Sequence, residues 1–440
     1  MLRVGILGGG KSGISAARLL SRAGARVLLS EKGSYQGPRL KNVVIEEGGH
    51  SDALLTSDLL VRSPGVPNHL PILEKAAKKK IPLWSEIELA SRFLKTPHIV
   101  AITGTHGKTT TTTLVGEIYK AWRYPALVGG NIGVPLSDVA ERARPSTRVV
   151  LELSSYQLED IDRFHPRVSA ILNITPDHLE HHGTMAAYAA AKARIFMNQT
   201  AKDVCVLNAD DAWCRRLAKR CEARVFWFSR KKPLARGIFF RQGRVHLRWN
   251  GVRAEWPLET RLPGPHNIEN VLASIALGVG GGVPLPLIRR VVERFRGVEH
   301  RLELVRRLDD VDYVNDSKGT NVDSTRVALA SFERPMLLIL GGQGKGSPYA
   351  PLRPAIRARV RGLLLIGEDA PRIRRELGDL AAAETVKTMD AAVRRARALA
   401  RPGDVVLLSP ACASFDQYRN YEERGRHFKA LVRGLRAHGR

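Results

Sequence analysis

The stretch from residue 99 to residue 121 reads IVAIT GTHGKTT TTTLVGEIYKA: an apolar run, a glycine-containing segment and a helical pattern. The apolar run predicts a buried strand, and the segment that begins at Lys108 predicts a helix. Between them, Gly104 and Gly107 would expose backbone N–H groups to phosphate oxygens, while Lys108 adds a positive charge and Thr109 a hydroxyl that can bind Mg²⁺. The stretch therefore predicts a nucleotide site, although Ile102 stands where the usual GxxxxGK[ST] spacing has a glycine.

A second glycine-rich segment lies near the N-terminus, where Gly8-x-Gly10-x-x-Gly13 follows an apolar run and precedes a helical pattern. Glu31 stands at the end of the next predicted strand. This spacing matches the dinucleotide-binding fingerprint, in which the backbone approaches a diphosphate at a helix N-terminus. Alone it favours a nicotinamide or flavin enzyme, such as an NAD-dependent dehydrogenase, but the motif does not identify its ligand. Two phosphate-binding segments together favour a nucleotide-linked substrate and ATP over a simple dehydrogenase.

Short apolar runs alternate with helical patterns along the chain, which predicts an α/β fold with mostly parallel sheets. Ligands of such sheets bind beyond the carboxyl ends of the strands. A β-hairpin is predicted between Phe239 and Trp256, with turns near Gln242-Gly243 and Asn250-Gly251. Further predicted strands are Val149–Leu153, Ala170–Ile174, Val204–Leu207, Met336–Leu340, Leu363–Ile366 and Val405–Leu408.

Two positions are candidate domain boundaries. Lys95-Thr96-Pro97 precedes a new strand and is typical of a linker, and a helical pattern ends around Arg296-Gly297-Val298. We therefore predict three domains, residues 1–94, 95–297 and 298–440. The length of 440 residues agrees with this division, because domains average roughly 150 residues.

The composition is 44% hydrophobic and 26% charged, which is typical of a folded globular protein and not of a disordered chain. No apolar run approaches the roughly 20 residues of a membrane-spanning helix. The N-terminus offers no secretory signal, so we expect a cytoplasmic protein without membrane insertion. The four cysteines show no CxxC or Cys/His spacing, so neither a disulfide framework nor a structural zinc site is predicted.

The net charge of +27 is the unusual feature of the composition. A nucleic-acid-binding ATPase is one interpretation, because phosphate neutralisation requires lysine and arginine. The basic residues are spread over the whole chain, however, and no nucleic-acid-binding motif accompanies them. We therefore interpret the charge as a property of the surface, expect no nucleic-acid partner, and note that a positive field attracts small polyanionic substrates.

The nucleotide segment and six further segments resemble the Mur ligase family, in the same order along nearly the whole chain. The six are Leu151–Glu159 (LELSSYQLE), Asn173–Leu179 (NITPDHL), Ala190–Lys192 (AAK), Glu299–Glu303 (EHRLE), Asn315–Asn321 (NDSKGTN) and Leu408–Asp416 (LSPACASFD). The resemblance implies a Rossmann-like N-terminal domain, a central P-loop ATPase-type α/β domain with additional β structure, and a Rossmann-like α/β C-terminal domain. It also implies an ATP-dependent amide-bond ligase of peptidoglycan synthesis that releases ADP and phosphate.

The segments ELSSYQLE, NDSKGTN and SPACASFDQ most resemble the D-glutamate-adding members of the family. This implies UDP-N-acetylmuramoyl-L-alanine, D-glutamate and ATP as the substrates, and we expect a monomer. His106 is more typical of the L-alanine-adding members, where the D-glutamate-adding members commonly have asparagine. Gly319, Gln343 and Tyr421 also stand where other residues are frequent. An L-alanine-adding ligase is therefore an alternative.

The chemistry of amide formation accounts for several residues. A carboxylate is a poor acceptor for an amine, and transfer of the ATP γ-phosphoryl group turns it into an acyl phosphate that an amine can attack. Such transfer requires Mg²⁺ and cations around the phosphates. Thr109 and Glu152 are suited to hold one Mg²⁺. The resemblance implies a second metal at His178 and Lys192, with Lys192 carbamylated; without it, Lys192 is typical of a solvated lysine on an alanine-rich helix.

The resemblance also assigns the remaining site residues. The catalytic set is Lys108, Glu152, His178, Lys192 and Arg301. The ATP set is Gly104, Thr105, His106, Gly107, Lys108, Thr109, Thr110, Asn270, Arg301 and Asp316. The UDP-substrate set is Lys11, Ser12, Glu31, Lys32, Gly65, Asn131, Ser154 and His178. The D-glutamate set is Thr320, Lys345, Ser414, Phe415 and Tyr421.

Overall fold

The computed structural model describes residues 1–437, which form α/β structure around three β-sheets. Two compact units divide the chain. The N-terminal unit comprises residues 1–260 and 268–294 and contains two of the sheets, and the C-terminal unit comprises residues 261–267 and the chain from Phe295 onward and contains the third. The predicted α/β class is confirmed, while the three domain boundaries stay a prediction.

The first sheet is entirely parallel, with the strand order β3-β2-β1-β4-β5. Its strands are β1 (Arg3–Leu7), β2 (Arg26–Ser30), β3 (Val43–Glu46), β4 (Leu59–Arg62) and β5 (Leu83–Ser85), and its helices are α1 (Lys11–Arg22), α2 (Pro71–Lys78) and α3 (Glu86–Ser91). The helix α1 approaches β1 so closely that a Cβ atom on Gly13 would lie 1.9 Å from the Gly8 carbonyl oxygen. The last glycine of the fingerprint is therefore required by packing.

The second sheet has nine strands in the order β14-β13-β12-β11-β10-β9-β6-β8-β7. The strands are β6 (Ile99–Thr103), β7 (Ala126–Gly130), β8 (Arg148–Glu152), β9 (Val168–Ile171), β10 (Val204–Asn208), β11 (Arg224–Ser229), β12 (Gly237–Arg241), β13 (Arg244–Trp249) and β14 (Val252–Pro257). The helices are α4 (Lys108–Ala121), α5 (Leu136–Arg142), α6 (Ser155–Glu159), α7 (Leu179–His182), α8 (Met185–Ala193), α9 (Ala212–Leu217), α10 (Pro265–Gly280) and α11 (Leu285–Arg294).

The third sheet has six strands in the order β15-β16-β20-β17-β18-β19, parallel except for β15. The strands are β15 (Glu303–Leu308), β16 (Val311–Asn315), β17 (Met336–Gly341), β18 (Val360–Ile366), β19 (Ala382–Lys387) and β20 (Val405–Leu408). The helices are α12 (Val322–Ala330), α13 (Arg353–Arg359), α14 (Ala370–Leu377), α15 (Met389–Leu399) and α16 (Tyr421–Gly434). Both faces of the sheet carry buried apolar clusters, as expected of a parallel sheet covered by helices.

Two of the predicted elements differ from the structure. The strand predicted at Ala170–Ile174 is β9, Val168–Ile171, because the chain leaves the sheet to place Asn173 beside the nucleotide segment. The predicted hairpin is a three-stranded antiparallel meander, β12 to β14. Its two turns are where we predicted them, and Gln242-Gly243 and Asn250-Gly251 all have positive φ angles, as two-residue hairpin turns require.

No helix formed by residues 1–437 is both long enough and apolar enough to cross a membrane.

A buried carboxylate joins α3 to the central part of the N-terminal unit. Glu88 is fully buried, and its Oε2 atom accepts hydrogen bonds from the backbone N–H groups of Asp162, Arg163 and Phe164 at 2.8, 3.0 and 2.9 Å. Its Oε1 atom pairs with Arg92 at 2.6 Å. One side chain thus satisfies three consecutive amides that would otherwise be without an acceptor.

We expect Glu88→Ala to destabilise the N-terminal unit by about 3 kcal/mol, since unsatisfied buried amides cost about 1–3 kcal/mol each. Glu88→Gln should cost less, because its amide oxygen can still accept from the three N–H groups. Calorimetry of both variants measures this, with Glu117→Ala as the control, because the Glu117 side chain is 45% exposed. Equal transition temperatures for Glu88→Ala and the control would contradict the assignment.

Candidate active site

The loop between β6 and α4, here called the phosphate loop (Gly104–Gly107), can be built only with glycine at its two ends. Gly104 has φ = 155° and Gly107 has φ = 82°, both in regions that side chains disfavour. A Cβ atom on Gly107 would lie 2.1 Å from Oδ1 of Asn270 on α10. Asn270 therefore lies directly against the loop, as its predicted role in ATP binding requires.

Asn173 holds the phosphate loop from the end of β9. Its Oδ1 atom accepts a hydrogen bond from the His106 backbone N–H at 2.8 Å, and its Nδ2 atom donates to the His106 carbonyl at 3.2 Å. Its own carbonyl accepts from the Thr105 N–H at 2.9 Å. We did not predict this positioning residue, because it lies inside the strand that the sequence predicts at Ala170–Ile174.

Two lysines point at the same carbonyl oxygen of the loop. Lys108 Nζ donates to the carbonyls of Gly104 and Thr105 at 2.9 and 2.8 Å, and Lys192 Nζ donates to the Gly104 carbonyl at 3.0 Å. Lys192 is only 2% exposed. Burial and the nearby Lys108 charge hold the pKa of Lys192 well below its usual value. The solvated lysine suggested by the alanine-rich helix is therefore wrong.

Glu152, at the end of β8, is a buried carboxylate with an unused oxygen. It is 2% exposed, and its Oε1 atom accepts from Asn131 Nδ2 at 2.7 Å. Its Oε2 atom is buried without a hydrogen-bond partner among residues 1–437. Thr109 lies buried in the first turn of α4. An oxygen that lacks a donor suits a hard cation, so the chemistry of this pair fits Mg²⁺.

His178 lies at the N-terminus of α7 in a left-handed conformation, with φ = 52°. Its ring nitrogens lie 3.4 Å from Asp177 Oδ2 and 3.6 Å from Glu180 Oε1. Its ring centroid is 6.4 Å from that of Tyr188, and Lys192 Nζ is 4.5 Å from the same ring. The structure therefore brings His178 and Lys192 to one tyrosine, which also contacts Thr105 of the phosphate loop at 3.2 Å.

The residues predicted for the UDP substrate lie around the end of β1 and at the edge of the second sheet. Glu31 accepts from the Gly9 N–H at 2.6 Å, and this bond lowers the pKa of the Glu31 carboxyl group. Lys11 and Ser12 begin α1, while Lys32 and Gly65 are exposed. Ser154 caps α6 through a reciprocal pair with Gln157, which is a structural role.

Except for Arg301, the residues predicted in the C-terminal unit follow three neighbouring strands, β16, β20 and β17. Asp316 follows β16 and is buried, which raises the pKa of its carboxyl group to about 6. Ser414 is buried in the segment after β20, and Phe415 beside it is 68% exposed. Arg301 precedes β15, Thr320 follows β16, Lys345 lies exposed after β17, and Tyr421 begins α16.

Arg424 is a second residue that we did not predict. It is 1% exposed and makes four hydrogen bonds: to Ser317 Oγ (3.0 Å), and to the carbonyls of Ser317 (3.0 Å), Cys412 (3.1 Å) and Ala413 (3.1 Å). One guanidinium group thus holds the NDSKGTN and SPACAS segments together. In the sequence, Arg424 is one of several charged residues of an amphipathic helix, and nothing there indicated its role.

Comparison with known proteins agrees with this geometry. Residues 102–278 match the Mur ligase middle domain, residues 300–412 the Mur ligase glutamate ligase domain, and residues 6–55 an NAD(P)-binding Rossmann-like domain. A UDP-N-acetylmuramoylalanine–D-glutamate ligase from Koribacter versatilis is 47% identical and covers 98% of this chain and 97% of its own length. The chain belongs to the Mur ligase family. A relative of the same name from Trichlorobacter lovleyi is 45% identical, with 98% of each chain covered.

Solved structures give the same fold for this Mur ligase. UDP-N-acetylmuramate-alanine ligase from Thermotoga maritima aligns with a TM-score of 0.60 at 20% identity, over 98% of this chain and 99% of that one. A pseudomurein peptide ligase type C from Methanothermus fervidus also has a TM-score of 0.60, at 17% identity, over 99% and 100%. The predicted ligase class is confirmed, and the dehydrogenase and nucleic-acid alternatives are set aside.

We expect Glu152→Gln to abolish the thermal stabilisation that Mg²⁺ and ATP together give, since the amide removes the buried ligand oxygen. Without ligands, the variant should melt no lower than the unaltered protein, because a buried charge with an unpartnered oxygen is lost. Thermal melts with and without Mg-ATP measure both effects, and Glu117→Gln is the control. A full Mg-ATP shift in Glu152→Gln would rule out this metal site.

Proposed function

We propose that this Mur ligase joins D-glutamate to UDP-N-acetylmuramoyl-L-alanine and converts ATP to ADP and phosphate. The observation that carries the proposal is the name shared by relatives that are 45–47% identical over nearly the whole chain. The segments ELSSYQLE, NDSKGTN and SPACASFDQ support it. The L-alanine-adding alternative rests on His106, with Gly319, Gln343 and Tyr421 as further departures from the usual pattern.

The reaction has two steps. A carboxylate oxygen of the UDP substrate attacks the γ-phosphorus of ATP, the bond from that phosphorus to the ADP oxygen breaks, and an acyl phosphate forms. The amine of D-glutamate then attacks the acyl carbon, the bond to phosphate breaks, and a proton leaves the nitrogen. The ammonium group of Lys108, released from its loop carbonyls, would balance charge on the transferred phosphoryl group.

Thr109 and Glu152 would hold one Mg²⁺ in this proposal, and His178 with Lys192 would hold a second. The ions would neutralise phosphate charge when bound. The support for the first site is the unpartnered Oε2 atom of Glu152. Around it, the N–H groups of the phosphate loop and Asn270 would orient the nucleotide, while Asn131 fixes the rotation of the Glu152 carboxylate.

Lys192 is proposed to act as a carbamate. Its neutral amine would attack CO₂ and lose a proton, which leaves a carboxylate-like group. An ordinary lysine has a pKa near about 10.4 and is mostly protonated at neutral pH, so the burial that lowers the pKa of Lys192 favours the reaction. The negative product would also face the positive charge of Lys108.

The acceptor and UDP sites complete the proposal. We assign D-glutamate to Thr320, Lys345, Ser414, Phe415 and Tyr421, with the exposed Lys345 ammonium group as a partner for a carboxylate. Lys11, Ser12, Glu31, Lys32 and Gly65 would surround the uridine diphosphate, with Asn131, Ser154 and His178 from the central part. Domains at residues 1–94, 95–297 and 298–440, a monomeric state and a cytoplasmic location belong to the same proposal.

Acceptor specificity tests the function directly. With UDP-N-acetylmuramoyl-L-alanine and ATP, phosphate release should be at least tenfold faster with D-glutamate than with L-glutamate, L-alanine or L-lysine. A parallel assay supplies UDP-N-acetylmuramate and L-alanine, the pair that the His106 alternative requires. Faster turnover in that assay would make L-alanine the acceptor and contradict the proposal.

Replacement of Lys192 tests the carbamate. Lys192→Ala should lower turnover at least a hundredfold, and added acetate should restore part of it by occupying the vacated position. Lys192→Arg should stay inactive with acetate, since guanidinium keeps its charge and does not take up CO₂ in this way. Full activity of the arginine variant would show that a carbamate is not needed.

A further inference from the structure

Two clusters within residues 1–437 bring three nitrogen or carboxylate ligand atoms to within 4.8 Å of one another. In the cluster of Glu299, His300 and Glu303, Lys429 Nζ lies 2.9 and 2.5 Å from the two carboxylates, so an ammonium group already occupies the centre. The other cluster, Glu159 with His181 and His182, is here called the His–Glu cluster. It lies in the N-terminal unit and shares no residue with the sites assigned above.

The spacing of the His–Glu cluster fits a tetrahedral metal. His181 Nε2 lies 2.8 Å from Glu159 Oε1, and His182 Nδ1 lies 3.3 Å from the same oxygen. Zinc bonds of 2.0–2.2 Å at tetrahedral angles place neighbouring ligand atoms about 3.4 Å apart. The His182 separation is already close to this value, the His181 separation would have to open by about 0.6 Å, and all three atoms lie within 4.8 Å of one another.

The surroundings hold each ligand in orientation. His182 Nε2 lies 2.9 Å from Ser155 Oγ, so the second ring nitrogen has a hydrogen-bond partner when Nδ1 faces a metal. Arg62 donates to the other Glu159 oxygen, Oε2, at 2.7 Å and leaves Oε1 directed at the rings. The Tyr156 ring packs against His181 at 4.3 Å between centroids.

Asn68 supplies a fourth ligand. Within the described residues 1–437, its Oδ1 atom is buried without a hydrogen-bond partner, while its Nδ2 atom lies 3.4 Å from His181 Nε2. Rotation of the amide by half a turn exchanges these two atoms, which have nearly the same shape. The unpartnered oxygen would then face the cluster and complete a set of two imidazoles and two oxygens.

The local charge is compatible with a divalent cation. Arg62 pairs with both Glu159 and Asp160, each at 2.7 Å. One positive and two negative side chains leave one negative charge. Imidazole nitrogens combined with carboxylate oxygen favour zinc and its neighbours in the first transition series over magnesium, which prefers oxygen ligands.

We propose that Glu159, His181 and His182, with Asn68 as the fourth ligand, bind a transition metal ion of the Zn²⁺ type. The site is separate from the Mg²⁺ pair Thr109 and Glu152. It joins the loop after β4, which carries Asn68, to α6 and α7 of the central part, so an occupied site would fasten the first sheet to the second.

Cobalt titration of the full-length protein without nucleotide tests the site, because tetrahedral Co²⁺ gives intense visible bands. We expect one equivalent to bind and Zn²⁺ to displace it. His181→Gln and His182→Gln should each weaken Co²⁺ binding at least tenfold, and Asn68→Ala should weaken it less. His246→Gln, a histidine paired with Glu255 at 3.3 Å, is the matched control and should bind normally.

Two further variants distinguish this site from other side chains that could bind Co²⁺. His178→Gln and Cys221→Ser should leave the Co²⁺ affinity unchanged, and Zn²⁺ should raise the melting temperature of both but not of His181→Gln. Loss of binding in His178→Gln or Cys221→Ser, with normal binding in His181→Gln and His182→Gln, would overturn the proposal. Octahedral Co²⁺ spectra, or no binding at all, would overturn it as well.

Discussion

Two lysine side chains that point at one carbonyl oxygen impose the main constraint on the N-terminal unit. Lys108 and Lys192 both donate to the Gly104 carbonyl. Two positive charges here would repel each other at a high cost, because the interior screens the repulsion poorly, and burial together with the Lys108 charge accordingly lowers the pKa of Lys192. A negative charge beside the two lysines would relieve this repulsion, whether it belongs to a phosphate bound to Lys108 or to a carbamate formed on Lys192. Asn173 and Asn270 hold the phosphate loop in the conformation in which both lysines contact the Gly104 carbonyl.

The loop conformation depends on residues that are far apart in sequence. Gly107 must lack a side chain because Asn270 fills the space, and Asn173 binds the backbone of residues 105 and 106. Strand β9 ends early for this reason. A similar long-range contact occurs in the C-terminal unit, where Arg424 donates hydrogen bonds to backbone carbonyls of two motif segments. Long-range contacts of this kind fix both sets of site residues.

Sequence patterns predicted the strands, helices and turns that depend on local backbone preferences. The strand before Gly104, the helix from Lys108 and the turns at Gln242-Gly243 and Asn250-Gly251 follow from apolar runs and backbone preferences. Asn173 and Arg424 could not be predicted in this way, because their partners lie in other segments. Lys192 shows most clearly what sequence patterns miss. Its alanine-rich surroundings indicate an exposed helix, yet α8 buries its side chain. Only the family resemblance pointed to it.

The departure at position 106 can be interpreted from the same contacts. Asn173 binds residue 106 through its backbone N–H and carbonyl groups, which every residue except proline offers. A histidine in place of asparagine therefore preserves these loop contacts. The residues proposed to hold the amino acid belong to other segments, after β16, β17 and β20. Position 106 lies in the phosphate loop, so it carries little weight for the choice of acceptor, and the segments NDSKGTN and SPACASFDQ carry more.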